Sequence, residues 1–317
     1  MDKYIDKALK NLEVLLPANC EAQYKQVRKN NGVLLDGFII KEEGNDIAPT
    51  FYLSEQERVK YSPEEFAELI CDRFRKEQER GIDFDIANFT DLDWVKSRIM
   101  FEIVNRNMNA GSNLANIPIT NDLMITFKVS VSQNANIKVT NDHLNIWGNV
   151  TTEELLRDAQ KNSVLMDRAT FRSISEVLID ILLDEYRHQY PDVQEDELRN
   201  RIKKEMFEGA DGMLFVLSTQ RQSNAAMLYP DMLDNIKKQL NDNLIILPSS
   251  IHEILIMKET DALSIGLDNV KAMVSSVNRD VVMQDNAEDY LSDELLIYDG
   301  ELKQLDIDSK TTDDLIF

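Results

Sequence analysis

Strand-like and helix-like hydrophobic periods succeed one another in short segments along these 317 residues, with no regular strand–helix–strand alternation. A parallel pair of strands needs a crossover of a dozen or more residues, whereas antiparallel neighbours can be joined by a tight turn. The pattern therefore predicts an α+β fold, with mixed or antiparallel sheets, packed helices and two sub-domains. Strands are expected over 23–27 and 33–40, separated by Asn31-Gly32, where both residues tolerate positive φ. Residues 47–53 supply a third strand, with Pro49 marking an edge or a bulge. Ser62-Pro63-Glu64-Glu65 opens a helix whose inner stripe is Phe66, Leu69, Ile70 and Phe74.

Further strands are expected over 99–104, 123–131 and 136–140; Phe127, Val129 and Val131 alternate with Lys128 and Ser130. Thr151 and Glu154 cap the next helix, and Phe171, Ile174, Val177, Leu178, Ile181 and Leu182 mark another. A helix on Leu198, Ile202 and Met206 follows the polar stretch 189–197. Beyond it, strands are expected over 213–217, 225–229, 244–247 and 254–257, with helices over 230–240 and 267–277. A closing hairpin turns at Asp299-Gly300. The expected domains are 1–190 and 191–305, followed by a flexible acidic tail, 306–317.

Charge narrows the function classes. Residues 1–150 carry 23 acids and 18 bases, a net of −5; residues 151–317 carry 34 and 17, a net of −17. Such a surface repels phosphate backbones, so direct nucleic-acid binding is not expected. No apolar run reaches the ~18–20 residues of a membrane span. Cys20 and Cys71 are too few for a disulfide framework, which predicts a reducing, cytoplasmic setting. Ten scattered glycines provide neither a phosphate loop nor a dinucleotide fingerprint, and no cofactor is expected.

Three segments carry a resemblance: Lys29-Asn30-Asn31-Gly32-Val33 with Pro49-Thr50-Phe51-Tyr52-Leu53; residues 141–154 around Trp147-Gly148; and residues 225–253, through Leu228-Tyr229-Pro230 to His252-Glu253. On these the chain resembles an uncharacterised bacterial family from Firmicutes, domain of unknown function 5688. It also looks like a related uncharacterised family of Bacillus-type proteins. Asn149 departs from the pattern by standing between Trp147-Gly148 and Val150-Thr151. The resemblance implies a bacterial origin and a shared fold over nearly the whole chain, and it implies no catalytic residue.

Ser249, Ser250, His252 and Glu253 contain the residue types of a hydrolase: a nucleophile, an imidazole base and an orienting carboxylate. Triad members usually converge from separate loops, so the commoner use of such a run is a turn capped by serine hydroxyls. Asp184 and His188, four apart on one helical face, could give two metal ligands, although a surface contact is the commoner outcome. His143 and Trp147 would anchor a peptide or stack a base if exposed; a buried tryptophan at a strand-to-helix corner is the bland alternative. Arg221 could hold a carboxylate or phosphate. Asp285, Glu288, Asp289, Asp293 and Glu294 form an acidic stretch that could dock a basic partner. The expectation is a protein that acts by binding another macromolecule, most plausibly a protein. A Ser/His/Glu hydrolase at 249–253 and an acidic nucleic-acid mimic or antagonist from a mobile element are its rivals.

Overall fold

The computed structural model describes residues 2–45, 48–80, 86–131, 135–207, 212–248 and 250–307. Three antiparallel sheets follow one another in chain order. The first belongs to an N-terminal module. Helix α1 (Lys3–Leu15) starts at Asp2, whose carboxylate accepts the Tyr4 N–H, and buries Ile5, Ala8 and Leu12. Strand β1 (Cys20–Arg28) pairs with β2 (Leu34–Glu42). Between them Asn31 and Gly32 take φ of 57° and 73°, and the Val33 N–H donates to the Asn30 carbonyl at 3.2 Å. This is the tight turn that only such residues close without strain. β3 (Thr50–Leu53) takes the outer edge of β2, where Pro49 costs no ladder bond. A short helix α2 (Glu55–Lys60) leads into α3 (Pro63–Arg80). Phe38, Ile40, Phe66, Ile70 and Phe74 join α1, β2 and α3 in one core.

The second sheet follows α4 (Ile86–Thr90) and α5 (Leu92–Lys96). β6 (Leu123–Ser130) is central. β4 (Ile99–Asn105) lies on one edge, and β5 (Asn116–Pro118) and β7 (Asn136–Lys138) share the other. After α6 (Asn141–Ile146), a capping box of Thr151 and Glu154 opens α7 (Thr152–Met166). Its Leu155 and Ala159 pack in the core that holds Phe127 and Val129, as predicted, but Ser130 is buried as well and Val131 only half-buried, so β6 does not alternate between core and solvent.

The third sheet runs in the order β13-β12-β10-β11-β9-β8. β8 (Ala169–Ser173) pairs with β9 (Leu214–Thr219), and between them rises a hairpin of α8 (Ile174–Gln189) and α9 (Glu195–Phe207). Ile179, Leu183, Leu198 and Ile202 join these two helices. α10 (Met232–Leu240) precedes β10 (Leu244–Leu247), and β11 (Glu253–Lys258) precedes α11 (Glu259–Ile265), α12 (Leu267–Val277) and α13 (Met283–Asn286). β12 (Leu296–Tyr298) and β13 (Leu302–Gln304) close the sheet around Asp299-Gly300. The apolar run of β10 has a cause. Leu244 and Ile246 face the core shared with the second sheet, while Ile245 and Leu247 face α11 and α12, so both sides are covered.

The α+β class is as predicted, but three expectations change. Residues 224–228 form a 3-10 turn instead of a strand. Asn224 there turns its amide onto β4, accepting the Ile103 N–H at 3.1 Å and donating to the Ile103 carbonyl at 2.8 Å. It thereby satisfies an edge strand as a neighbouring strand would. Phe171 lies in β8 stacked on Phe215 at 5.2 Å, and Ser173 caps α8. The buried face of α8 is accordingly Ser175, Ile179 and Leu183, with Ile181 exposed. The expected boundary at 190/191 falls in the turn of the α8–α9 hairpin, while the sheet on either side is continuous from 169 to 304. The unit with its own core is the N-terminal module, 2–80. Of the expected acidic tail, residues 308–317 lie outside the described residues. Among the described residues no helix is long and apolar enough to cross a membrane.

Candidate functional site

A cleft of about 520 Å³ opens where the second sheet meets the turn after β9 and the loop before β11. One wall is a row of cross-strand partners: Met100 lies opposite Lys128, and Lys128 opposite Lys138. Two lysines side by side on neighbouring strands repel each other. Glu102 relieves the repulsion by accepting from Lys128 at 3.1 Å and pairing with Lys138 at 3.3 Å. Its side chain is only 16% exposed. Burial pushes this carboxyl up, but the two lysines override it and hold the group at about 2.

The facing wall is the turn Gln220–Ser223. Buried Asp167 fixes it, accepting the Thr219 hydroxyl at 2.7 Å and the Arg221 N–H at 2.9 Å. The Arg221 side chain is exposed and has no hydrogen-bond or ion-pair partner among the described residues. Gln222 takes a φ of 56°.

His252 closes the rim. Its Nδ1 is 3.3 Å from the Gln222 carbonyl and its Nε2 is 3.1 Å from Asp289 Oδ2, so both ring nitrogens face acceptors. Buried Ser250 accepts the His252 backbone N–H at 3.1 Å, the turn-capping role that serine takes in such segments. No bond links the Ser250 hydroxyl to the imidazole. Burial pushes the Glu253 carboxyl up, His252 opposes this and Asp289 adds to it. Ser249 lies outside the described residues.

Behind the rim sits a buried polar junction. Asn31 Nδ2, at the tip of the N-terminal hairpin, reaches the carbonyls of Ala287 at 3.0 Å and Tyr290 at 2.7 Å, and Asn30 Nδ2 donates to the Glu288 carbonyl at 2.7 Å. Asn109 donates to the side-chain oxygens of Asn30 and Asn31, at 2.9 and 3.0 Å, and Asn105 donates to the Leu291 carbonyl at 2.8 Å. All four asparagines are buried. The loop they hold carries Asp289, whose own carbonyl accepts the Ile251 N–H at 2.9 Å. The N-terminal module thus sets the position of the acid that faces His252.

The remaining candidates stand apart from the cleft. Trp147 is buried, donates Nε1–H to the Phe89 carbonyl at 2.7 Å and meets the Phe89 ring at 5.3 Å. His143 Nδ1 accepts the Thr140 N–H at 3.1 Å, and burial lowers its pKa against the influence of Asp142. The pair closes a strand-to-helix corner, so Trp147 presents no exposed anchor. Asn149, with φ of 61°, ends α6 by donating its N–H to the Leu144 carbonyl. His188 Nδ1 sits 2.7 Å from the Asp184 carbonyl, whereas the Asp184 carboxylate pairs with Arg187 at 3.1 Å, so the two do not converge as ligands. Among the described residues no three His, Cys, Asp or Glu side chains are grouped to hold a metal.

The acidic stretch is not the free face expected of it. Asp289 is 16% exposed and tied to His252, Asp293 accepts from Asn278 at 2.7 Å, and Glu294 is bound by Lys271 at 2.7 Å. Glu288 is half-buried, and the Asp285 side chain lies outside the described residues. Charge in a sequence does not tell which carboxylates the fold consumes.

The chain matches a family of unknown function, DUF5688, over residues 1–300. It belongs to that family. No curated protein and no solved structure matches it. Of the cleft residues, the sequence pointed to His252, Asp289 and Arg221 but not to Glu102, Lys128 or Asp167. A signal was present: Glu102 and Lys128 each interrupt a strand that is otherwise almost wholly buried. Charged residues enter such strands only with a partner.

Proposed function

We propose that this protein works by binding a segment of another protein, without catalysis, and that the cleft beside Arg221 receives it. The observation that carries this reading is the division of labour around the cleft. Ser250 accepts a backbone N–H and both ring nitrogens of His252 face internal acceptors, while the Arg221 guanidinium has no partner among the described residues. A volume of about 520 Å³ is within the range of pockets that take small ligands or a few side chains. Arginine is also a favoured anchor residue in interfaces.

The test is affinity purification from the native host, comparing the unmodified protein with Arg221→Glu. A protein retained by the first and lost by the second supports the reading; identical sets of retained proteins refute it. A fluorophosphonate probe distinguishes the hydrolase. Absence of labelling is expected, because Ser250 is buried and its hydroxyl serves the backbone. Stoichiometric labelling at Ser249 or Ser250, abolished by His252→Ala, would establish a nucleophile instead.

A further inference from the structure

We infer that the cleft takes an oxyanion, a carboxylate or a phosphate borne by a protein segment, and that Arg221 is the residue that recognises it. This rests on the binding reading above and adds the chemical class of the ligand. The inference follows from which charged groups still have bonding capacity. Glu102 already serves two lysines, and the Asp167 oxygens accept from the Thr219 hydroxyl and the Arg221 N–H. Asp289 serves His252 at the rim and also accepts from Asn286 at 2.6 Å. A cationic ligand would meet carboxylates that are already engaged.

An anionic ligand meets the opposite situation. Lys128 and Lys138 against Glu102 leave one positive charge on the sheet wall, and on the turn facing it the Arg221 guanidinium offsets the Asp167 carboxylate, which accepts only from neutral donors. The guanidinium offers several N–H donors in a fork that fits two oxygens of one oxyanion. The turn that carries it is held at the backbone by Asp167, which fixes the point from which the side chain extends. Gln220 and Gln222 line the same space, and their side chains carry amide donors. In a chain of net charge −22, this is a place where Lys128, Lys138 and Arg221 stand against Glu102 and Asp167, and where the Asp289 carboxylate at the rim is bound by His252 and Asn286.

The test uses the full chain and three blocked peptides: a tri-glutamate, a Gly-phosphoserine-Gly and a tri-lysine. Binding is followed by amide chemical shifts at low salt. An anionic peptide is expected to move the signals of residues 220–223 and of His252, and the better binder of the two identifies the oxyanion. Arg221→Gln should weaken that binding about tenfold or more, and Arg221→Lys less, because a lysine keeps the charge but loses the fork. Circular dichroism should show both variants folded, since the side chain is exposed and unpaired among the described residues. Shifts in the cleft with tri-lysine, binding unchanged in Arg221→Gln, or no shifts with either anionic peptide up to about 1 mM would overturn the inference. If the anionic peptides fail while a protein is still retained through Arg221, the ligand class falls and the binding reading survives. If they bind while no protein is retained, the ligand class survives and the protein reading falls.

Discussion

The N-terminal module and the junction beside it are built from opposite materials. Inside the module, α1, β2 and α3 are held by apolar side chains, with the Phe38 and Phe66 rings edge to face at 5.5 Å. Where the module meets the rest of the chain, four buried asparagines bind backbone carbonyls and one another. An apolar core is non-directional and tolerates rearrangement of its parts, whereas an amide that donates to a particular carbonyl fixes one geometry. The module therefore owes its existence to burial and its placement to hydrogen bonds. The cleft depends on the placement, because the same loop carries Asp289 to His252.

The sharpest way to break this contrast is within the module core. Phe38→Ala should cost about 3–5 kcal/mol, the range for deleting a buried phenylalanine, since Phe38 is fully buried. Urea denaturation checks it, and a loss below about 1 kcal/mol would mean that the module adds little to the cooperative unit. The cost should appear without displacing the His252 signals at low denaturant.

A smaller effect is expected at the cleft wall. Glu102 titrates at about 2 when folded, below its ordinary 4.5. A depressed carboxyl contributes stability that is complete above the unfolded pKa and is lost as pH falls through the folded one. The affected window therefore runs from about 4.5 down to 2, and the contribution is up to about 3 kcal/mol. Glu102→Gln should flatten the stability-versus-pH curve there. A slope unchanged between the two proteins would show that Lys128 and Lys138 do not hold the carboxylate in solution.

The junction gives the finest discrimination. Asn31→Gly keeps the positive φ and removes only the amide, so it isolates the hydrogen bonds from the turn. It should lower stability by about 1–3 kcal/mol, as expected when buried carbonyls lose their donor. Unlike Phe38→Ala, it should raise hydrogen exchange selectively in residues 248–252 and 287–292. Exchange confined to the hairpin tip would separate the module from the cleft and end the comparison.

Local information was sufficient for much of the fold. The Asn31-Gly32 turn, the Ser62 and Thr151 helix starts and the Asp299-Gly300 hairpin all stand where their residues predict, whereas the alternation expected around Phe127 and Val129 fails at Ser130, which is buried because both faces of that strand are covered. In each turn and helix start, the deciding interaction lies within a few residues along the chain. Phe171 and the segment 224–228 depart from their local pattern for the converse reason: a stacking partner in β9 and an edge strand 121 residues away decide their conformation.

At the site the balance shifts further toward tertiary structure. His252 and Asp289 belonged to separate candidates, a triad-like run and an acidic stretch, and the pairing of their two loops at Ile251 and Ser250, with the asparagine junction behind it, brings them within 3.1 Å. Residue types establish which groups can donate, accept or carry charge, so the sequence alone determined the α+β class, the apolar faces, the tight turns and the acidic balance. It could not determine which carboxylates would be consumed by lysines or which asparagines would be buried. Nor could it show that Arg221 would be left without a partner among the described residues. Those outcomes depend on distances between groups far apart in the chain, and hydrogen bonds and ion pairs exist only at the few ångströms that folding alone supplies.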